Sequence, residues 1–189
     1  NIPRTLPSEP VRYNLGAVEK FWITNMDTNL TSEISAVLAY KTENVYFWVD
    51  QKVEIDDREK FDLEDLVDTF EGEIIPINRK FFGNEWIPGI DNDPHLYILY
   101  AKGLGSGIAG YFSSNDSFHP LAHEYSNAHE MFMLSADNTT LNDPFTYGVL
   151  AHEFQHMIHW NGDRNEESWL NEGFSELAAF LNGYYLGGF

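Results

Sequence analysis

Apolar positions recur at two periods along the chain. "EKFWIT" and the two β-rich runs of "ISAVLAYKTENVYFWVD", folded about Lys41-Thr-Glu-Asn44, predict a strand followed by a hairpin, so residues 1–55 read as a β-rich N-terminal lobe. From 57 to 71 the period lengthens. Phe61, Leu63, Leu66, Val67 and Phe70 among acids predict an amphipathic backing helix, which "EIIPINRKFFG" extends beyond Pro76. "HLYILYA" and "EMFML" predict short buried strands on either side of the glycine-rich "KGLGSGIAGYFSSND". No internal repeat interrupts residues 56–189, which read as the second and larger unit.

Two further helices close the pattern. In "VLAHEFQHMIHW", Leu150, Phe154, Met157 and Ile158 form one apolar stripe, the face packed on a core. His152 and His156 lie on another side, about 40° apart, so both imidazoles reach one point in space. Two neutral imidazoles at one point suit zinc, and Glu153 between them is placed to accept a proton from water polarised by the metal. The alternative is a pair of satisfied structural histidines. A metzincin would continue with x-x-Gly-x-x-His, whereas this chain reads Met157, Ile158, His159, Trp160 and Asn161. His159 is read as a helix C-terminal histidine before the Asn161-Gly162 stop, where partial positive charge is favourable, rather than as a ligand.

The second helix is "SWLNEGFSELAAFLNGYY", with Ser168 as N-cap and Trp169, Leu170, Phe174, Leu177, Phe180 and Leu181 on one apolar arc. Glu172 and Glu176 stand outside that arc at i, i+4, beside Ser175 and Ala179, residues small enough to let another helix approach. Like charges at this spacing repel, and a nearby cation relieves the conflict. A solvated acidic edge is the competing reading, above all for Glu176.

"HEFQH" followed by "NEGFSE" on the next helix resembles the gluzincin metallopeptidases, the group that includes thermolysin and the zinc aminopeptidases. "HEFQHMIHW" with "SWLNEGFSELAAF" is most similar to the hyicolysin-type and immune-inhibitor-A-like secreted peptidases. The resemblance covers roughly residues 95–185 and departs from thermolysin in a shorter gap between His156 and Glu172. It implies His152, His156 and Glu172 as the ligands of a zinc ion and Glu153 as general base. It also implies supporting roles for Asn171 and Glu176, the latter hydrogen-bonded to the far nitrogen of the first histidine. The implied fold is α+β and zincin-like, a small mixed sheet packed on the active-site helix. An upstream strand pairs with extended substrate in such enzymes, and "HEMFMLS", with Glu130, Met131, Phe132 and Met133, is the candidate.

Composition narrows the partners. Eleven basic against thirty acidic residues give a net charge of −19, which opposes binding to nucleic acid or anionic membranes. No uncharged apolar run approaches the roughly 20 residues that span a bilayer. Cysteine is absent, which removes disulfides, catalytic thiols and thiolate metal sites. "NIPRTLPSEP" has no basic-then-apolar leader, so a signal peptide would have been removed already. These features suit an exported prokaryotic enzyme, and the resemblance implies a secreted one that acts on peptides or proteins. "GLGSGIAG" lacks the Lys-Ser/Thr ending of a phosphate loop and reads as a turn or an active-site edge. Asp91, Asn92 and Asp93 of "GIDNDPH" offer oxygen donors for calcium; the alternative is a polar turn before Pro94. His95, His119, His123 and His129 form no helical pair and read as surface or structural.

The expectation is therefore a zinc-dependent endopeptidase, with Tyr147, Tyr184 and Tyr185 as candidate donors to the transition-state oxyanion. Two alternatives stand beside it: an exopeptidase, and an inactive or truncated zincin-like domain whose zinc is structural.

Overall fold

Strands rich in apolar residues on both faces need cover on both sides, and that requirement organises the molecule. In the computed structural model, residues 2–7, 9–165 and 167–184 are described. The strands are β1 (Val18–Asn25), β2 (Leu30–Lys41), β3 (Val45–Asp50), β4 (Leu96–Ala101), β5 (Gly110–Phe112) and β6 (Met131–Ser135). They form one mixed six-stranded sheet in the order β1-β2-β3-β4-β6-β5. β1, β2 and β3 are an antiparallel meander, β3–β4 and β4–β6 are parallel, and β5 returns antiparallel to β6. The strands of the first 55 residues thus share a sheet with those of the remainder, joined through the β3–β4 pairing.

A parallel pair needs a crossover. Here it is α1 (Asp57–Thr69), a π-helical turn (Phe70–Ile74) and α2 (Ile75–Phe82). Asp56 and Glu59 start α1 with a reciprocal capping box. Pro76 has no N–H to donate, and the widened turn ahead of it carries the bond from Ile75 N–H back to Phe70 O, so the helical path continues through the proline. On this face of the sheet Phe47, Ile98 and Phe132 meet Leu66 and Phe70 of the crossover and Leu150 and Phe154 of α3 (Pro144–Gly162). Phe70 lies edge-on to both Phe132 and Phe154, with ring centroids 5.8 and 5.5 Å away. On the opposite face Phe21, Leu38, Trp48, Tyr97 and Met133 form a second core. No helix among the described residues is long and apolar enough to cross a membrane.

α3 is started by the Asp143 side chain and Pro144, and its stripe of Leu150, Phe154, Met157 and Ile158 is buried. α4 (Ser168–Leu181) differs from its expected form in two respects. Glu167, not Ser168, holds the N-cap position. The expected apolar arc is largely outside, with Trp169 72% and Phe180 61% exposed, while Ser175, Ala178 and Ala179 are buried. Small side chains let the two helix axes approach closely, which outweighs the hydrophobicity of the arc. Buried Asn78 of α2 donates to Ala151 O of α3 (2.8 Å) and accepts from Asn182 at the end of α4 (2.8 Å), tying three helices at one side chain.

One further expectation is corrected, and a second segment takes the polar-turn form. β6 is hydrogen-bonded to β4 on one side and β5 on the other, and Glu130, Met131, Phe132 and Met133 are all buried, so this strand offers no open edge to a substrate. The Asp91–Asp93 segment is a hydrogen-bonded turn: Asp91 accepts from Asp93 N (3.0 Å) and contacts His129 Nδ1 (2.6 Å), and Asp93 accepts from His95 N (3.1 Å). Both oxygens of Asp91 and Oδ1 of Asp93 thus face backbone N–H groups or histidine ring nitrogens. His129 stacks on Tyr97 and His95 on Tyr46, each at 4.0 Å, so both histidines belong to this structural network.

Glu130 has a measurable consequence for stability. Burial, then the nearby Asp91 charge, pushes its carboxyl up to about 8, and its Oε1 has no hydrogen-bond partner among the described residues. A carboxyl that holds its proton more tightly in the folded state stabilises the fold at low pH. That contribution is lost as pH rises from about 4.5 through about 8, by on the order of 1 kcal/mol per pH unit. Glu130→Gln should flatten the melting temperature across this window relative to the unmutated chain. Parallel pH profiles for the two proteins would show the assignment to be wrong.

Candidate metal centre

α3 and α4 bring three donors to one point. His152 and His156 follow each other by one turn on the face of α3 that meets α4, with Nε2 atoms 3.0 Å apart. Glu172, in the first turn and a half of α4, places Oε2 3.5 Å from His152 Nε2 and Oε1 3.5 Å from His156 Nε2. Among the described residues this is the only group of three or more such side chains whose donor atoms all lie within 4.8 Å of one another.

The surrounding hydrogen bonds fix the tautomers. His152 Nδ1 is 3.1 Å from Glu176 Oε1, a carboxylate that can only accept when ionised, so Nδ1 carries the proton and Nε2 a lone pair. Ser175 donates its hydroxyl hydrogen to Gln155 Oε1 (2.8 Å) and turns a lone pair to His156 Nδ1 (3.0 Å), which also faces Asn171 Oδ1 (3.0 Å). His156 Nδ1 is therefore also the protonated nitrogen. Burial, then the neighbouring His156, lowers His152 to about 4, and burial lowers His156 as well, against the opposing effects of Asn171 and Glu172. Two imidazole lone pairs and a carboxylate thus face one another across 3.0 to 3.5 Å. A cation between them, like a proton on one of the rings, would remove that repulsion. Donors about 2.0–2.1 Å from a tetrahedral ion are about 3.3 Å apart, so these residues fit zinc.

Glu153 is the next residue on α3 and lines the same cleft on the side of β5, without being one of the three converging donors. The Phe112 N–H of β5 faces its carboxylate and favours the charged form, but burial outweighs it and, with the Glu172 charge, leaves the carboxyl raised to about 8. Gly110 permits the close approach of β5 to α3. A Cβ there would stand 2.6 Å from Met133 O, 3.0 Å from Val149 Cγ1 and 3.5 Å from Glu153 Cγ. β5 was not expected as a strand, since "GYF" is three residues within a glycine-rich run. It occupies the sheet edge that the sequence pattern assigned to β6.

A cleft of about 470 Å³ opens over these groups, between β5 and the ends of α3 and α4. His159, Trp160 and Arg164 line it, and the sequence pattern had marked none of them for this cleft. The signal for His159 was in the helical period: seven residues after His152 it returns to within about 20° of the same face. Tyr147 and Tyr184 stack on each other at 5.2 Å and pack on the sheet-facing core instead of lining the cleft, and Tyr185 lies outside the described residues.

No family model matches the chain. Over 186 aligned residues the chain is 28% identical to the neutral metalloprotease ShpI of Staphylococcus hyicus, an alignment that takes in 88% of this chain and 40% of that protein. The chain therefore spans about two fifths of the length of this relative, and the similarity supports a metallopeptidase relationship.

Proposed function

We propose that this protein is a zinc-dependent endopeptidase, secreted by a prokaryote, in which His152, His156 and Glu172 hold the metal and Glu153 is the general base. The observation that carries this reading is the separation of two roles on adjacent residues of one helix. His152 takes part in a triangle of donors, while Glu153 lies beside it, buried, with its carboxylate held by Phe112 N–H. A zinc site that served only to hold the fold would have no use for a base kept dry beside it. The name of the similar Staphylococcus hyicus protein points the same way.

When bound, zinc supplies Lewis acidity, polarising a carbonyl and lowering the pKa of water. The chain's own groups do the rest. Glu153 takes the proton of the attacking water and returns it to the leaving amine nitrogen, so a carboxyl raised toward neutrality serves in both directions. Glu176 accepts from His152 Nδ1, Asn171 and Ser175 from His156 Nδ1, and these bonds hold both rings with Nε2 toward the metal position. The free edge of β5, bordering the cleft, receives an extended peptide as an added strand.

The direct test is removal and return of the metal. Cleavage of a quenched casein or peptide substrate at neutral pH should disappear on chelation and return with stoichiometric zinc. Cleavage that survives complete chelation, verified by metal analysis, would rule this function out.

A further inference from the structure

Arg164 stands apart in the charge distribution. From Gly103 to Phe189 the sequence has eleven acidic residues and one lysine or arginine, Arg164. That single cation lies two residues past the end of α3, in the wall of the cleft that contains His152, Glu153 and Glu172. Its guanidinium carbon is 5.1 Å from the ring centroid of Trp160, which is in turn braced edge-on by Phe118 at 6.2 Å. Asp163, its acidic neighbour in the same wall, is turned to Asn165 N (2.9 Å). Among the described residues no carboxylate lies within ion-pair distance of Arg164.

A guanidinium over an indole is ordered before any ligand arrives, and among the described residues the planar edge of N–H donors of Arg164 meets no acceptor. That fork matches a carboxylate in two parallel hydrogen bonds. The rest of the molecule, at a net charge of −19, repels acidic peptides, so a carboxylate at this end of the cleft, apart from the metal position, is favoured by the local cation there. We propose that Arg164, held on Trp160, determines the specificity of the cleft by selecting substrates that present a carboxylate close to the scissile bond. This rests on the peptidase reading above. The carboxylate has two sources, an Asp or Glu side chain or a free C-terminus.

Paired quenched peptides separate the sources: Glu against Gln at each position around the cut bond, with the C-terminus amidated, and free acid against amide with no acidic side chain. One pair should show about a fivefold higher kcat/KM for the carboxylate member, the size expected of a partly solvated ion pair, shrinking as salt is raised. Arg164→Gln should bring that ratio to about 1, and Arg164→Glu should reverse it in favour of a lysine peptide. Both variants lie on an exposed turn and are checked for zinc content and circular dichroism. Binding of labelled forms of the same peptides to the zinc-loaded Glu153→Gln chain, read by anisotropy, keeps the two readings apart. Arg164-dependent preference in binding, with no cleavage by the unmutated chain, would overturn the peptidase reading and leave the carboxylate site standing. Equal cleavage and binding of both members of every pair, or a preference that survives Arg164→Gln, overturns the site.

Discussion

Glu153→Gln should lower peptide cleavage by at least about 100-fold, the share usually supplied by general acid–base catalysis, while zinc remains bound near stoichiometry. The substitution preserves the side chain's size and its capacity to accept from Phe112 N–H, and removes only its basicity. Glu153 is not among the three converging donors, so its loss leaves the metal site intact. The measurement is kcat/KM on a quenched peptide beside zinc content by atomic emission, with an inhibitor control against contaminating protease. Full activity in the variant would remove Glu153 from the mechanism. A zinc-loaded, unmutated chain that cleaves nothing would favour the alternative of a structural zinc site.

Glu172→Ala and Glu176→Ala should differ in kind. Glu172 provides the only oxygen donor of the triangle, 3.5 Å from each histidine nitrogen, and without it two imidazoles remain to hold the ion. Zinc should be lost from this variant. Glu176 meets His152 at Nδ1, outside the donor triangle, so its removal frees one ring to rotate and should weaken zinc affinity about 10- to 100-fold, leaving the ion measurable by competition with a chelator. The opposite order of affinities would exchange the two assignments.

These tests concern groups whose juxtaposition the sequence displays. An i, i+4 spacing on a helix is a distance, so the meeting of His152 with His156 is legible without a fold, and the small Ser175 and Ala179 mark the side on which α4 approaches. What lies across the sheet is not legible in this way. Periodicity predicts that residues 130–134 form a buried strand, but nothing local says how many neighbours a strand has, and the edge fell to three residues beginning at Gly110 instead. The apolar arc of α4 fails for a related reason: contact between helices rewards small volume, which a hydrophobicity pattern does not measure. The crossover through Pro76 was legible because a widened turn preserves the helical path that the apolar spacing requires.

The approach of the Phe112 N–H to the Glu153 carboxylate makes the five-residue signature incomplete as a unit. A helix carrying "HEFQH" on another scaffold would present the two imidazoles in the same phase, since the helix alone dictates their spacing. The glutamate would then choose its rotamer by solvation and swing toward bulk water. In this protein a peptide group of the neighbouring strand makes that choice, and Gly110 keeps the strand near enough to make it. The inheritance unit of the base is therefore a strand and a helix together, so drift in residues 110–112 should be constrained as tightly as drift in the signature itself.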